Sequence, residues 1–498
     1  MDKLLQNANI VQRLPLRALA MNEHKGQPSR RYILNRASCG FGLLGLSSLL
    51  QQAAEAAAKD NPLAPKAPHF PAKAKRVIFL FMHGGPSHMD TFDPKPLLDR
   101  DHGKPLPFKR PLTFAEGSTG NLLKSPWQFR RHGQSGIPVS ELFPNVAKHV
   151  DEMCILRSMV GDSVAHGGAI LQLHTGSNTF TRPSAGSWAI YGLGTENQNL
   201  PAFITLKPGL SHGGAKNWSS GFLPSAYQGT AVGHGGLNVE DLVEPIEHLK
   251  NKDLTPDQQR YELDMIQKMN RASALRYQQD EELEARIGAF ELAFRMQSEA
   301  PEAFDLKGEY EATKAMYGLD DAETRDFGWQ CLMARRLAQR NVRFIQINHE
   351  YRAGNEVGWD AHSELIRLHT RTAYQVDKPI AALLTDLKAH GLLEDTLVVW
   401  GGEFGRTPIA QAGDGRDHNP YGYTMWMAGA GVKKGFIYGA TDEYGYYAVE
   451  DRMHIHDLHA TMLHLLGLDH KRLTYQYGGR AFRLTDVHGN VATKILDV

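Results

Sequence analysis

Apolar residues along this chain fall into short unbroken runs, separated by stretches with helical periodicity. The clearest run is Arg76-Val-Ile-Phe-Leu-Phe-Met82. A strand without polar alternation is one buried on both faces, as in a parallel sheet. Comparable runs stand at Cys154-Ile-Leu156, Phe203-Ile-Thr-Leu206, Val342-Arg-Phe-Ile-Gln-Ile347, Thr396-Leu-Val-Val-Trp400 and Thr424-Met-Trp-Met-Ala428. Helical stretches alternate with them, which predicts an α/β fold with helices on both faces of the sheet.

The longest helical region opens at Thr255-Pro256, an N-cap followed by proline at the first helical position. Leu283, Ile287, Phe290 and Phe294 recur beyond it at helical spacing, predicting a stripe that faces the core. A further helix is expected over Thr324–Gln339, with arginines near its C-terminal end where the helix dipole favours them. Asp457 is expected to cap a helix that runs through Leu466 and stops at Gly467.

Composition narrows the class. The 498 residues hold 55 Lys and Arg against 55 Asp and Glu, a balance that argues against a nucleic-acid partner, which needs a basic surface. No run of about 18 apolar residues occurs, so no membrane span is expected. Three cysteines make no disulfide framework, and Cys154 and Cys331 read as buried thiols. At the N-terminus, Ser29-Arg30-Arg31-Tyr32-Ile33-Leu34 reads as a twin-arginine export signal. The modestly apolar Phe41–Leu50 and cleavage options near Ala56 and Ala58 follow it. Residues 1–58 are therefore expected to be a leader for the twin-arginine machinery, 59–74 a Pro-rich linker, and 75–498 the working domain. The destination is the periplasm or beyond.

In an open parallel sheet, ligands bind beyond the carboxyl ends of the strands. His83-Gly-Gly-Pro-Ser-His88 and Asp90 follow the first run. His349 and then Gly358-Trp-Asp360-Ala-His362 follow the fourth. Gly401-Gly-Glu403-Phe-Gly-Arg406 follows the fifth, and Gly415-Arg-Asp-His418 precedes the last. Four strand ends each deliver a carboxylate, a histidine or both, the gathering a metal or catalytic site requires. Competing readings are plain: Asp90 as a helix cap, and Glu403 as a buried partner of Arg406 or Arg416.

These motifs also carry a family resemblance. Gly84-Gly-Pro-Ser-His-Met-Asp-Thr-Phe-Asp-Pro94, Gly186-Ser-Trp188, Tyr191-Gly-Leu-Gly194, Cys331-Leu-Met-Ala-Arg-Arg-Leu337, Glu403-Phe-Gly-Arg-Thr-Pro408, Gly415-Arg-Asp-His418 and Asp457-Leu-His-Ala-Thr461 resemble, in order, an uncharacterised family of secreted bacterial sulfatase-like proteins. That family is grouped with the alkaline phosphatase superfamily. The resemblance implies a three-layer α/β/α sandwich around a mostly parallel sheet, here with a helical insertion at about 240–335. It also implies hydrolysis of sulfate or phosphate esters, of small molecules or glycans. Carried onto this chain, Asp360 and His362 resemble one metal-binding pair, His418 the distant histidine, and Glu403 and Asp90 the remaining carboxylates. His83 or His88 would assist. The ion would be divalent: zinc foremost, with calcium, magnesium or manganese as alternatives.

Three departures matter. Asp360 and His362 are two apart, closer than in the superfamily, which suits an extended segment with both side chains on one face. Phe404 stands beside Glu403 where the superfamily has histidine, and the formylglycine pattern of sulfatases is absent around every cysteine. Ser163 occupies the superfamily's nucleophile position, while His166 fits the family's own pattern better. Arg406 or Arg416 is expected to steady developing negative charge. The alternative to an enzyme is a degenerate, metal-stabilised binding or scaffold protein of the same fold.

Overall fold

Seven residues from Arg76 to Met82 form the central strand, β1, and every one of them is buried. Its alternate side chains enter two separate cores. Ile78, Leu80 and Met82 face one, and Val77, Phe79 and Phe81 the other. The computed structural model describes residues 61–114, 119–242, 246, 249, 253–274, 281–350 and 358–497. The predicted leader, with Arg30, Arg31 and Cys39, lies outside them.

In chain order the sheet and its attached hairpin comprise β1, β2 (Met153–Val160), β3 (Phe203–Leu206), β4 (Thr230–Val232), β5 (Phe344–His349), β6 (Thr396–Gly401), β7 (Gly405–Gln411), β8 (Gly415–Asn419), β9 (Tyr423–Ala428), β10 (Phe436–Tyr438) and β11 (Met453–His454). In space the sheet runs β10-β2-β9-β6-β1-β5-β3-β4, with β11 also beside β2. β1 pairs in parallel with β5 and β6, and β3 with β4 and β5. Among the described strands of this sheet, only β9 runs antiparallel to its neighbours, β2 and β6. β7 and β8 form a separate antiparallel hairpin, joined at its edge by Thr119–Leu122.

Helices cover both faces, as an all-apolar sheet requires. On one side α5 (Arg325–Gln339) and α6 (Leu365–Ala389) bury Leu332, Met333 and Leu337, and Val376, Ile380 and Leu383. On the other lie α1 (His166–Thr175), α2 (Ala185–Leu193) and α7 (Ile455–Leu465), contributing Ile170, Leu173, Trp188, Ile190, Leu458 and Met462. The result is the expected three-layer α/β/α sandwich. No described helix is long and apolar enough to cross a membrane, and Cys154 and Cys331 are free and buried.

Several helical expectations need correction. α3 (Pro256–Ala274) and α4 (Glu281–Phe304) supply the helical insertion. Of the predicted stripe, however, Leu283 and Ile287 carry side chains outside the described residues, and Phe290 is 48% exposed. Phe294 lies under the guanidinium of Arg260 instead. The core-facing positions are Leu292, Met296, Ala300 and Ala303, a helical series offset from the predicted one. The α5 arginines do stand near its C-terminal end, as expected, and they also make specific bonds. Arg335 bonds Asp386 and Glu309 at 2.8 and 2.7 Å, and Arg336 caps the backbone oxygens of Glu302, Ala303 and Asp305, each at 2.9 Å. His454, not Asp457, caps α7; Asp457 completes a capping box from the third position. Residues 61–74, read as a linker, lie against the domain: the Lys73 and Ala74 amides bond the Leu465 oxygen, and Leu63 is buried.

Candidate metal centre

Every strand that matters here ends at the same edge of the sheet. β1 delivers His83, β5 delivers Glu350, β6 delivers Glu403, and β3 leads to His212. The loop after β2 leads to His166 at the start of α1, and β9 is preceded by His418. Asp360 and His362 come from the segment before α6. They were expected on an extended stretch; instead two successive tight turns form, with Ala361 N bonding Trp359 O and His362 N bonding Asp360 O. Both side chains still share one side, because His362 Nε2 reaches Asp360 Oδ1 at 2.9 Å.

Asp360 is the hub. Its Oδ1 takes His362, His418 Nε2 at 3.1 Å and Arg406 Nη2 at 2.6 Å, while Oδ2 lies 3.2 Å from His166 Nε2. The backs of the rings are also held, which fixes their orientation. His362 Nδ1 meets Gln411 Oε1 at 2.6 Å, His418 Nδ1 meets Val164 O at 2.7 Å, and His166 Nδ1 meets Glu403 Oε1 at 2.6 Å. Phe404 stacks on one face of His418, with ring centres 4.3 Å apart, and Phe114 on it at 4.8 Å.

A second donor group adjoins the first. His83, His166 and Glu403 bring ligand atoms together, as do His166, Asp360, His362 and His418; within each group all lie within 4.8 Å of one another. His83 Nδ1 is bonded by Glu350 at 2.6 Å and its Nε2 contacts His212 Nδ1 at 3.1 Å. Two glycines make the approach possible. Gly84, at φ +107, donates its N–H to Glu403 Oε1 at 3.0 Å, and a Cβ on it would lie 2.7 Å from the Asp360 nitrogen. A Cβ on Gly415 would lie 2.0 Å from the His362 carbonyl.

Charge states follow from these contacts. Burial works against a charge on His166, but the carboxylates of Asp360 and Glu403 outweigh it and raise its pKa to about 9. Burial would likewise raise Asp360 and Glu403. Arg406 and three imidazoles hold the first far below the usual carboxylate range, and His166 lowers the second. Burial lowers His418 to about 4, Asp360 only partly opposing it.

The donor set suits a first-row divalent ion: three imidazole nitrogens around one carboxylate, with a second carboxylate and imidazole alongside. One observation tests the fit. His166 Nε2 is buried and has no hydrogen-bond partner although Asp360 is close. Its other nitrogen, Nδ1, is fixed on Glu403, so Nε2 is aimed among the other donors with no bond of its own, the orientation a ligating imidazole needs. A cation does already stand on Asp360, the Arg406 guanidinium.

The structure thus brings Asp360, His362, His418, Glu403, His166 and Arg406 to one place. Asp90 lies apart from both donor groups. Its carboxylate is fully buried against Arg416, at 2.7 and 3.2 Å, and takes Ser87 Oγ at 2.5 Å. His88 is also apart, bonding Gly445 O at 2.8 Å. Ser163 turns its hydroxyl back onto the Ala165 peptide, at 3.0 and 3.2 Å. Sequence reasoning missed His212 and Glu350. Glu350 had a signal, following His349 at a buried strand end.

A search of curated proteins gave no match. Among solved structures, the chain is similar to the PsFucS1 sulfatase from Pseudoalteromonas sp., at 13% identity over 79% of this chain and 68% of that one, TM-score 0.31. It is similar to the lipoteichoic acid synthase LtaP from Listeria monocytogenes, at 9% identity over 86% and 80%, TM-score 0.36. It is also similar to a mutant TAB5 alkaline phosphatase with Mg bound, at 10% identity over 79% and 98%, TM-score 0.32. The family model described as "Protein of unknown function (DUF1501)" matches residues 74–496, and the chain belongs to that family.

Proposed function

We propose that this chain hydrolyses sulfate or phosphate esters with a divalent ion held by His166, Asp360, His362 and His418, and with His83 and Glu403 as an adjoining donor pair. One observation carries the reading. Side chains from five separate stretches of sequence turn their ligand atoms inward at the carboxyl edge of a mostly parallel sheet. Zinc suits the imidazole-rich set best, since calcium and magnesium favour all-oxygen sites. When bound, such an ion polarises an ester oxygen and lowers the pKa of a water.

The chain's own residues do the rest. Arg406, fixed by the carbonyl oxygens of Gly84, Gly85 and Arg416, sets a positive charge beside the reacting group that needs no reorganisation. His212 is half-buried, and burial with its imidazole neighbours lowers its pKa. Glu350 and His83 stand behind it, so His212 can take or return a proton while His83 holds one at Nδ1. Phe404 and Phe114 both stack on the His418 ring, which is fully buried. With the Ser163 hydroxyl tied to Ala165, the attacking oxygen in this reading is water. Export through the twin-arginine machinery belongs to the same proposal and is supported by Arg30-Arg31 and the stretch after it.

One observation favours a second reading, the degenerate binding or scaffold protein: Arg406 already sits on the Asp360 oxygen at 2.6 Å. Elemental analysis of purified protein, followed by turnover of generic aryl sulfates and phosphates, separates the two. One or two equivalents of metal are expected, with turnover lost in Asp360→Ala and His418→Ala. Equal background rates in all three proteins would overturn the enzyme reading, and bound metal without turnover would select the second.

A further inference from the structure

A cleft of about 800 Å³ opens beside Asp162, in the loop that leads to Val164 and His166. Asp162, His454, His456, Asp457, Lys471, Arg483, His488 and Asn490 line it. We propose that this cleft is a subsite for a phosphate- or sulfate-type oxyanion, so that the substrate carries a second anionic group besides the ester that is cut. The substrate half of this inference rests on the hydrolase reading; the anion site itself does not.

The lining is built from donors. Lys471 and Arg483 bring fixed positive charge, and three imidazoles stand in a row. Their ring centres are 4.9 Å apart between His454 and His456, and 5.1 Å between His456 and His488. His456 is 6% exposed, and its Nδ1 is buried without a hydrogen-bond partner. Two carboxylates share the cleft, but both are already occupied. Asp457 takes the His454 amide at 2.9 Å and the Asn490 amide at 2.6 Å, and Asp162 takes Gln172 and His454 Nε2. His454 is itself held, its Nε2 by Asp162 and its Nδ1 by the His456 amide, which leaves Lys471, Arg483, His456 and His488 to face a ligand. Arg483 is preset, because it donates to the backbone oxygens of Asp486 and His488, and a guanidinium so held suits a tetrahedral oxyanion.

Position gives the cleft its meaning. Asp162 on its wall is two residues from Val164, whose carbonyl holds His418. The two sites are thus joined by a chain segment of at most ~7 Å. A volume of about 800 Å³ far exceeds one oxyanion and fits the group with part of its carrier molecule.

Inorganic phosphate titrated into chelator-treated full-length protein, by calorimetry, tests the anion site. One saturable site is expected, weakened ~10-fold or more by Lys471→Met or Arg483→Met and unchanged in His418→Ala. Lys471 is exposed, so its variant is expected to fold even if Arg483→Met disturbs its loop. No saturation, or binding indifferent to both cleft variants, would overturn the proposal. Binding lost only in His418→Ala would also overturn it, by locating the anion at the metal centre, while leaving the hydrolase reading intact. In turnover, Lys471→Met is expected to raise KM for an aryl ester bearing a second phosphate or sulfate and to spare the mono-ester. Equal KM changes for both would remove the substrate half.

Discussion

Arg406 and His418 face each other as cross-strand partners in the β7–β8 hairpin, and both reach the same oxygen, Oδ1 of Asp360, at 2.6 and 3.1 Å. One strand pair therefore sets a permanent cation and a metal-type ligand on a single carboxylate. The carboxylate arrives from a segment pinned to the hairpin by the Arg416 amide on Ala361 O. Fold and site share the same contacts at this point.

Asp360→Asn is accordingly expected to destabilise the protein by about 3–5 kcal/mol, because it leaves the fully buried Arg406 without its countercharge. Urea unfolding, followed by circular dichroism, measures it. A variant as stable as the wild type would show that the three carbonyl oxygens around Arg406 suffice.

Asp90 invites the opposite comparison. Its pairing with Arg416 is fully buried on both sides and stands apart from the donor groups. Asp90→Asn is expected to cost a similar 3–5 kcal/mol while leaving metal content unchanged. Loss of metal from a variant that still unfolds cooperatively would return Asp90 to the ligand set.

How much of this was legible beforehand differs by level. The strands were, because Val77–Met82 and Leu397–Trp400 are apolar without a break, and only burial on both faces permits that. The convergence of Asp360, His362, Glu403 and His418 was legible because strand ends in such sheets meet at one edge. Pairing was not legible. Asp90 and Arg416 are 326 positions apart, and nothing local distinguishes a carboxylate bound for a guanidinium from one bound for an ion. His212 lies six residues past β3 in a loop whose course only tertiary packing decides, so its contact with His83 left no pattern in the sequence. The offset of the α4 stripe has the same origin. Phe290 and Phe294 satisfy helical spacing, yet the face that meets the core is chosen by its neighbours.

A pH effect follows from His166. Its pKa rises from 6.5 to about 9 in the folded protein. The stabilisation from its charged form is therefore complete below about 6.5 and lost as pH rises through 9. Chelator-treated protein is expected to melt at progressively lower temperature between pH 6.5 and 9, with a shallower slope in His166→Gln. Parallel slopes in the two proteins would mean that His166 is neutral in the fold.

The shared oxygen of Asp360 makes a last prediction. An ion and a guanidinium compete for it, and at an effective dielectric of about 20 two unit charges about 4 Å apart repel by about 4 kcal/mol. Arg406→Gln keeps N–H donors but removes the charge, so zinc affinity by equilibrium dialysis is expected to rise ~10-fold or more even if most of that repulsion is screened. Stability should fall at the same time. The carbonyl oxygens of Gly84, Gly85 and Arg416 each lose a charged donor, and buried acceptors left unpaired cost about 1–3 kcal/mol apiece. Opposite signs for affinity and stability mark Arg406 as a competitor that the fold retains for its own sake. If zinc binds no more tightly, or more weakly, to a cooperatively folding variant, Arg406 instead orients Asp360 for the ion, and its charge near the reacting ester is what the site keeps it for.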